Sequence, residues 1–188
     1  MARLFLDIET SGLDPIKHSI LSLGIVVSFD GFENYHSFYE EIRYDELLIT
    51  PEAIEINGIE FKSQKNRIPL EKASEDAFHF VKRYFSETDK PLAIGVNVGE
   101  FDLQFINKYM PKLAYILNRR SVNLNSLLYL LADLQSRDFT GLKQELSEKA
   151  SSEVDQLNLG LKKHNALYDA LFNLSLYSLI KENLKSNV

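Results

Sequence analysis

The first candidate for chemistry is a pair of acids near the start of the chain, Asp7 and Glu9. They end an apolar run, Leu4 to Leu6, which is typical of a strand in a protein core. Residues two apart in a strand point to the same face, so both carboxylates are expected to aim together. Because two like charges raise each other's pKa, a bound divalent cation would stabilise the pair. The alternative is that both acids protrude into water beyond the edge of the sheet.

A second candidate group is a histidine and an acid late in the chain, His164 and Asp169. The chain has only 4 His, so this spacing is uncommon by chance. Five residues apart on one helix, the two side chains would diverge, and they converge only if His164 precedes the helix. We therefore expect His164 on a loop, where its imidazole is mobile and reachable by solvent. The alternative is an exposed loop histidine without a role.

One more acid, Asp102, follows the short apolar segment Pro91 to Val96. It is expected in the first turn of the next helix, where a negative charge favours the positive end of the helix dipole. An ordinary helix-start acid is the alternative interpretation, and this residue alone does not decide between the two.

Apolar periodicity predicts the elements that must carry these residues. The first third of the chain predicts three sequential, antiparallel strands, and later segments alternate between helix and strand. Strands are predicted at Arg3 to Glu9, Ile20 to Phe29, Asn34 to Ile42, Pro91 to Val96 and Arg120 to Leu124. Helices are predicted at about Leu70 to Phe85, 101 to 118, Ser126 to Gln135 and about Ala166 to Asn183. This alternation indicates a mixed α/β sheet.

Length and composition favour one folded domain over residues 1–188, with 45% hydrophobic and 26% charged residues. The longest uncharged stretches, Ser19 to Phe29 and Ala170 to Ile180, are about half of the roughly 20 residues that span a bilayer. Carboxylates at Asp7 and Glu9 interrupt any secretory segment, so a cytoplasmic location is the expectation. The sequence contains no Cys, which excludes disulfides, thiolate metal sites and cysteine nucleophiles.

The formal net charge of -6 argues at first against a nucleic-acid partner. Most of the acidic excess, however, lies within residues 30 to 60, and the remainder of the chain is slightly basic. If four acids bind cations, that remainder has enough positive charge to attract a phosphate backbone on one face. The overall acidity therefore does not exclude nucleic acid.

Three segments that contain the candidate residues resemble the three exonuclease motifs of the DEDDh superfamily: Asp7 to Leu13, Asn97 to Asp102 and His164 to Ala170. They occur in the family's order and span nearly the whole chain. Thr50 to Ile59 also resembles the segment after the third strand in polymerase III epsilon-type proofreading exonucleases and RNase T. Oligoribonucleases typically carry Met where Thr10 stands, so the resemblance favours the epsilon and RNase T branch.

This resemblance implies a ribonuclease H-like fold, in which helices flank a sheet of three antiparallel strands followed by parallel strands, and removal of mononucleotides from a 3′ end. It also implies two divalent ions, Mg²⁺ or Mn²⁺, which suit hard oxygen ligands. Asp7 would bridge both ions. Glu9 and Asp169 would complete the site of the ion that holds the nucleophilic water, and Asp102 would help to hold the second ion. His164 would take the water's proton as general base.

The same resemblance assigns residues to substrate binding. Thr10, Ser11, Gly12 and Leu13 would cradle the terminal nucleotide, with Leu13 as an apolar wedge, and Asn97 and Phe101 would also bind substrate. An apolar wedge stacks on any base, which fits digestion with little sequence preference. The branch often has His where Val96 stands, which leaves substrate preference open. Candidate contacts to the nucleic-acid backbone are Lys62, Lys65, Arg67, Arg119, Arg120, Lys143, Lys162 and Lys163.

The main hypothesis is a metal-dependent 3′ to 5′ exonuclease that releases nucleoside 5′-monophosphates from single-stranded DNA or unpaired 3′ ends. An RNA-trimming 3′ to 5′ exoribonuclease is the alternative, because no residue decides how a 2′-hydroxyl is received. A non-catalytic nucleic-acid-binding or scaffolding module is less favoured, since none of the five catalytic candidates is missing. We do not expect an epsilon-type tail after the last helix, so a stable polymerase partner is not expected. A monomer or homodimer without membrane association is expected.

Overall fold

A six-stranded sheet lies at the centre of the computed structural model, which describes residues 1–57, 66–86 and 88–186. The strands are β1 (Arg3–Thr10), β2 (Ile20–Asp30), β3 (Asn34–Arg43), β4 (Ile68–Pro69), β5 (Ala93–Gly95) and β6 (Ser121–Asn123). The helices are α1 (Pro51–Asn57), α2 (Leu70–Lys82), α3 (Asp102–Tyr109), α4 (Pro111–Ile116), α5 (Leu124–Leu134), α6 (Phe139–Asp155) and α7 (Ala166–Ser186).

The order of strands across the sheet is β4-β3-β2-β1-β5-β6. The first three strands form an antiparallel meander, because β1 pairs with β2 and β2 pairs with β3. Strands β5 and β6 continue the sheet in parallel on the other side of β1, and β4 runs parallel to β3. The predicted mixed α/β sheet with three sequential antiparallel strands is therefore confirmed.

Both faces of this sheet are covered by helices. Leu4, Leu6 and Ile8 of β1 belong to the core that α2, α3 and α4 complete. Phe5, between them, belongs to the opposite core with α5, α6 and α7. Since successive strand residues alternate between faces, Asp7 and Glu9 lie on the same face as Phe5, beneath α7.

Several regions differ from the prediction, and neither α1 nor β4 is among the predicted strands and helices. Helix α6 has no counterpart among the predicted elements, although its buried side chains recur every four residues at Leu142, Leu146, Ala150 and Val154. Most of the remaining residues of this helix are polar and weaken the pattern. The helix expected over 101–118 is two helices, because Pro111 lacks the N–H that a continuous helix would need and instead begins α4.

Helix α1 coincides with most of the segment Thr50 to Ile59, of which the last two residues lie outside the described ranges. The side chain of Thr50 accepts a hydrogen bond from the backbone N–H of Ala53 at 3.2 Å, as an N-terminal cap does. The backbone N–H of Thr50 donates to the carbonyl oxygen of Ser11 at 2.9 Å. The start of α1 is therefore attached to the loop after β1.

Helix α7 is the longest element, and it packs against both β1 and β2. Buried residues lie on several sides of it, including Ala170, Leu171, Leu174 and Leu179. Broad coverage of this helix, which the sequence predicts, is thus confirmed. Within the described residues, no helix has both the length and the apolar character that crossing a membrane requires.

Candidate active site

The acids of the first motif lie near the carboxyl end of β1. Glu9 is buried and Asp7 is partly buried. The two carboxylates share one face of a strand that is hydrogen-bonded to β2 on one side and to β5 on the other. The sheet therefore fixes the direction of both side chains, as the spacing predicts.

Asp102 is the first residue of α3 and is only 4% exposed. Its Oδ1 accepts a hydrogen bond from the backbone N–H of Ile8 at 2.9 Å. Ile8 is the residue between Asp7 and Glu9, so this bond attaches the start of α3 directly to the acidic pair. Asp102 thus starts α3, as the sequence predicts, and its role in the site stays a prediction.

His164 precedes α7, as the five-residue spacing predicts, and its side chain is exposed. Its backbone has a φ of 65°, in the left-handed region that few residues other than glycine adopt. The backbone N–H of His164 donates to Asp169 Oδ2 at 3.0 Å. This turn brings the histidine and the acid together at the start of the helix.

Glu9, His164 and Asp169 form a group that could hold a metal ion, because one ligand atom from each lies within 4.8 Å of the others. Carboxylate oxygens and an imidazole nitrogen are suitable ligands for divalent ions such as Mn²⁺. Elements distant in the sequence, β1 and the start of α7, therefore meet here. The group contains His164, for which the sequence predicts a role as base.

The pKa values show that four carboxylates are crowded together. Burial, and then the charges of Asp169 and Asp102, raise the pKa of Glu9 to about 8. Burial raises the pKa of Asp102 to about 7, against the opposing effect of the hydrogen bond from Ile8. The pKa of Asp7 is raised well above its ordinary value by burial and then by Asp102, Asp169 and Glu9. A cation at this place would relieve the repulsion, so the residues fit a divalent metal.

Asp169 differs from the other acids in having positive neighbours. Burial raises its pKa, but the charges of His164 and Lys163 and the hydrogen bond from the His164 backbone oppose this effect. The two halves of the site are thus electrostatically unequal, with the positive groups on the side of α7.

Gly24 allows these halves to meet. It lies opposite Asp7 in the β1–β2 register. A Cβ at Gly24 would lie 2.1 Å from the carbonyl oxygen of Ala166, the first residue of α7. Only a residue without a side chain lets the start of α7 approach the sheet this closely. Gly24 is not among the predicted site residues, although a glycine inside an apolar strand is a signal of close backbone approach.

The predicted nucleotide cradle is the loop after β1. The Thr10 hydroxyl donates to the Gly12 carbonyl at 2.8 Å, and Ser11 is fully buried. Gly12 packs so closely on the ring of His18 that a Cβ would lie 2.6 Å from it. Leu13, by contrast, is 82% exposed. A rigid backbone that presents one exposed apolar side chain suits the predicted wedge, which stays a prediction.

This loop is also held from α3. Lys108 Nζ donates to the carbonyl oxygens of Pro15 and Ile16 at 2.6 and 2.9 Å. The Tyr109 hydroxyl donates to the carbonyl of His18 at 2.5 Å. Ile16 is 80% exposed, so the loop carries a second free apolar side chain beyond Leu13. Sequence reasoning does not identify Lys108 or Tyr109, which are far from the loop along the chain.

The predicted substrate residues of the second motif lie in a network of amides. Asn97 has a φ of 54°, and its Oδ1 accepts hydrogen bonds from Asn125 Nδ2 at 3.0 Å and Asn123 Nδ2 at 3.2 Å. Phe101 is partly buried, and its ring centroid lies 5.2 Å from that of Phe105. Asn123 and Asn125 are therefore additions to the predicted site.

The candidate backbone-binding residues are dispersed. Arg119, Arg120, Lys162 and Lys163 are exposed. Arg67 is paired with Glu41, and Lys143 lies over the ring of Phe139. Lys62 and Lys65 lie outside the described residues.

Sequence comparison shows the family to which the chain belongs. The sequence profile of the exonuclease family RNase T matches residues 4–177, a range that includes both β1 acids, Asp102, His164 and Asp169. The chain belongs to the RNase T family of exonucleases. The resemblance to DEDDh exonucleases is therefore confirmed.

Curated relatives of this family member have two kinds of name. The oligoribonuclease of Colwellia psychrerythraea is 26% identical to this chain, and the alignment covers 66% of this chain and 71% of the oligoribonuclease. The 3′-5′ DNA exonuclease Cap18 of Escherichia coli is also 26% identical, and covers 93% of this chain and 88% of its own. The expected enzyme class, a 3′ to 5′ exonuclease, is confirmed. The preference for the epsilon branch over oligoribonucleases stays a prediction.

Solved structures show the fold. Two structures of exonuclease I, one of them a zinc-bound complex of the E. coli enzyme with single-stranded DNA, superpose with TM-scores of 0.67 and 0.68 at 16% identity. Each superposition covers 99% of this chain. It covers 41% of the exonuclease I chain in one structure and 42% in the other, so this chain spans about two fifths of exonuclease I. The expected ribonuclease H-like architecture is thereby confirmed.

Proposed function

We propose that residues 1–188 act as a single exonuclease domain that removes nucleoside 5′-monophosphates from the 3′ end of single-stranded DNA or of unpaired 3′ ends. One observation carries this proposal. The carboxylates of Glu9 and Asp169 meet His164 near the carboxyl end of β1, and Asp102 at the start of α3 is bonded to Ile8 beside Glu9.

Two divalent ions, Mg²⁺ or Mn²⁺, are proposed as cofactors, which when bound lower the pKa of a water and offset charge on the phosphoryl oxygens. Asp7 would hold both ions, Glu9 and Asp169 one of them, and Asp102 the other. The raised pKa values support this assignment, because carboxylates forced together without a cation resist ionisation. With the charge offset, all four side chains can be ionised at neutral pH.

His164 is proposed as the general base. Its exposed imidazole can reach a water at the site, and histidine is the side chain that most often acts as a general base. A base of this kind contributes about 10² to 10⁴ to a rate. Because ligand atoms of Glu9, His164 and Asp169 lie within 4.8 Å of one another, the proton acceptor would lie beside the ligands of the water-holding ion.

The substrate is proposed to enter along the loop after β1. Leu13 would stack on the terminal base, and the rigid backbone of Ser11 and Gly12 would receive the 3′ hydroxyl. Lys162 and Lys163, exposed just before His164, would add positive charge near the phosphate.

DNA is the preferred substrate in this proposal because the relative named as a DNA exonuclease matches 93% of the chain, against 66% for the oligoribonuclease. RNA trimming is the second candidate, since oligoribonucleases are among the relatives at the same identity. The two substrates differ in the 2′-hydroxyl that the pocket must accept.

Digestion of 5′-labelled DNA and RNA oligomers of one sequence, with Mg²⁺, Mn²⁺ or a chelator, tests the proposal. We expect the oligomers to shorten stepwise from the 3′ end only when metal is present. The DNA oligomer should be digested faster than the RNA oligomer. Faster digestion of RNA would favour the second candidate. Digestion that persists in chelator, or that starts at the 5′ end, would contradict the mechanism.

A further inference from the structure

Asn165, the residue after His164, makes two kinds of contact with one side chain. Its Oδ1 accepts hydrogen bonds from the backbone N–H groups of Leu167 at 3.0 Å and Tyr168 at 3.3 Å, which caps the start of α7. Its Nδ2 donates to the hydroxyl oxygen of Tyr39 at 2.8 Å. Capping needs only the oxygen, so the second bond is an additional attachment of the His164 loop to β3.

Tyr39 is placed for this contact by the register of the sheet. Asp7 lies opposite Gly24 on β2, and Gly24 lies opposite Tyr39 on β3. Directly opposed residues of antiparallel strands share a face, so these three residues form one row beneath the start of α7. Because Gly24 has no side chain, α7 begins in the gap between Asp7 and Tyr39.

The Tyr39 hydroxyl is itself held in one orientation. It donates to Glu41 Oε1 at 3.1 Å, which leaves its oxygen to accept from Asn165. Glu41 Oε2 accepts from Arg67 Nε at 2.9 Å, and the Arg67 side chain is only 7% exposed. Tyr39 and Glu41 belong to β3, and Arg67 directly precedes β4. These contacts therefore attach Asn165 to the sheet.

The His164 loop needs such support. His164 adopts a left-handed backbone conformation that is unfavourable for a side chain with a Cβ, and its own side chain is exposed. The loop is held on one side by the bond from the His164 N–H to Asp169 Oδ2. The bond from Asn165 to Tyr39 holds it on the other side.

We propose that Tyr39 and Asn165 are positioning residues that keep the His164 imidazole in place for proton transfer. This inference rests on the proposed function, in which His164 is the base. Neither residue is expected to touch the substrate or the ions, so their loss should lower kcat and leave substrate affinity and metal requirement unchanged.

The test is the Tyr39→Phe variant, which keeps the ring and removes the hydroxyl. We expect kcat on a DNA oligomer to fall roughly 5- to 20-fold, since small misplacements of a catalytic group cost up to about 10²-fold. KM and the Mn²⁺ concentration for half-maximal activity should stay the same. Tyr35→Phe is the matched control on the same strand face, and it should behave as the parent. Asn165→Asp, which keeps the capping oxygen and removes the donor, should lower kcat as Tyr39→Phe does.

A double-variant cycle separates positioning from general structure. If Tyr39 acts through His164, adding Tyr39→Phe to His164→Ala should change kcat by less than about twofold. The inference is overturned if Tyr39→Phe is as fast as the parent, if it raises KM instead, or if it slows the His164→Ala protein by the same factor. A parent without metal-dependent digestion refutes the proposed function itself, whereas an active parent with an unaffected Tyr39→Phe variant refutes only this role.

Discussion

The acids of β1 and the histidine before α7 are held in very different ways. Asp7 and Glu9 lie on β1, where both residues are paired with β2 and the backbone N–H of Ile8 between them is bonded to Asp102, so their backbone cannot move without breaking these bonds. His164 lies on an exposed turn with a left-handed backbone, held by Asp169 and by its neighbour Asn165. The sheet therefore fixes where charge collects, while the position of the base depends on a few hydrogen bonds.

The acids of β1 and the acid beside the His164 loop also differ in how their surroundings affect the pKa. The pKa of Glu9 is about 8 because burial and other acids disfavour its charge. Asp169, at the loop, has its raised pKa partly offset by His164 and Lys163. Crowding of negative charge is tolerated where the backbone is rigid, and positive groups lie where it is exposed.

Removing an acid from the rigid side should have the largest effect. For Asp7→Ala we expect turnover with Mn²⁺ to fall at least about 10³-fold, since the loss of several kcal/mol of transition-state stabilisation costs a factor of ten per about 1.4 kcal/mol. Digestion of an end-labelled oligomer measures it. Asp133→Ala, at an exposed acid of α5, is the control and should be fully active. Unchanged hydrolysis by Asp7→Ala would show that the site is elsewhere.

Removing the base from the exposed side should have a smaller effect. For His164→Ala we expect turnover about 10²-fold slower, because other features of the site still act without a proton acceptor. The Mn²⁺ concentration for half-maximal activity should be unchanged if His164 is a base and raised if it is a metal ligand. His79→Ala, at an exposed histidine of α2, controls for loss of an imidazole. A His164→Ala protein as fast as the parent would exclude His164 as the base.

Separating the two regions tests whether they must be in contact. Gly24→Ala places a Cβ against the Ala166 carbonyl, so α7 must shift away from β1. We expect a loss of about 1 to 3 kcal/mol in the free energy of unfolding, together with reduced turnover. Gly141→Ala, where a Cβ would meet only Asp138 Oδ2 at 3.4 Å, is the control in α6. Denaturant unfolding measures the free energy of unfolding of both variants. A Gly24→Ala protein as stable as the parent would contradict the close approach of α7 to the sheet.

The pH dependence of stability should reveal the crowded acids. Because the folded pKa of Glu9 is about 8 against an ordinary 4.5, its contribution to stability is present below about pH 4.5 and is lost as the pH rises to 8. Without metal, the Glu9→Gln variant should therefore become more stable than the parent as the pH rises through this window, by up to about 5 kcal/mol.

Thermal unfolding in chelator at several pH values measures this difference. Added Mn²⁺ should stabilise the parent more than the variant, since the ion offsets the charge that Gln lacks. A difference in Tm that does not grow with pH would show that Glu9 ionises freely in the folded protein.

The strands and most helices follow from local pattern. The continuous apolar run of Leu4, Phe5 and Leu6 predicts a core strand, and the structure buries it on both faces. The buried residues of α6 recur every four positions along the sequence, but the polar residues between them weaken this pattern. The division of 101–118 depends on one residue, Pro111, whose missing N–H overrides the apolar period.

The sequence by itself determined which chemical groups are available and which of them share a strand or precede a helix. These features depend on spacing along the backbone, as with Asp7 and Glu9 or His164 and Asp169. Only the tertiary structure decided that Asp102 bonds to Ile8, that Gly24 admits α7, and that Tyr39 reaches Asn165. Those contacts join residues far apart in the chain, and they are set by strand register and helix packing, which no local pattern encodes.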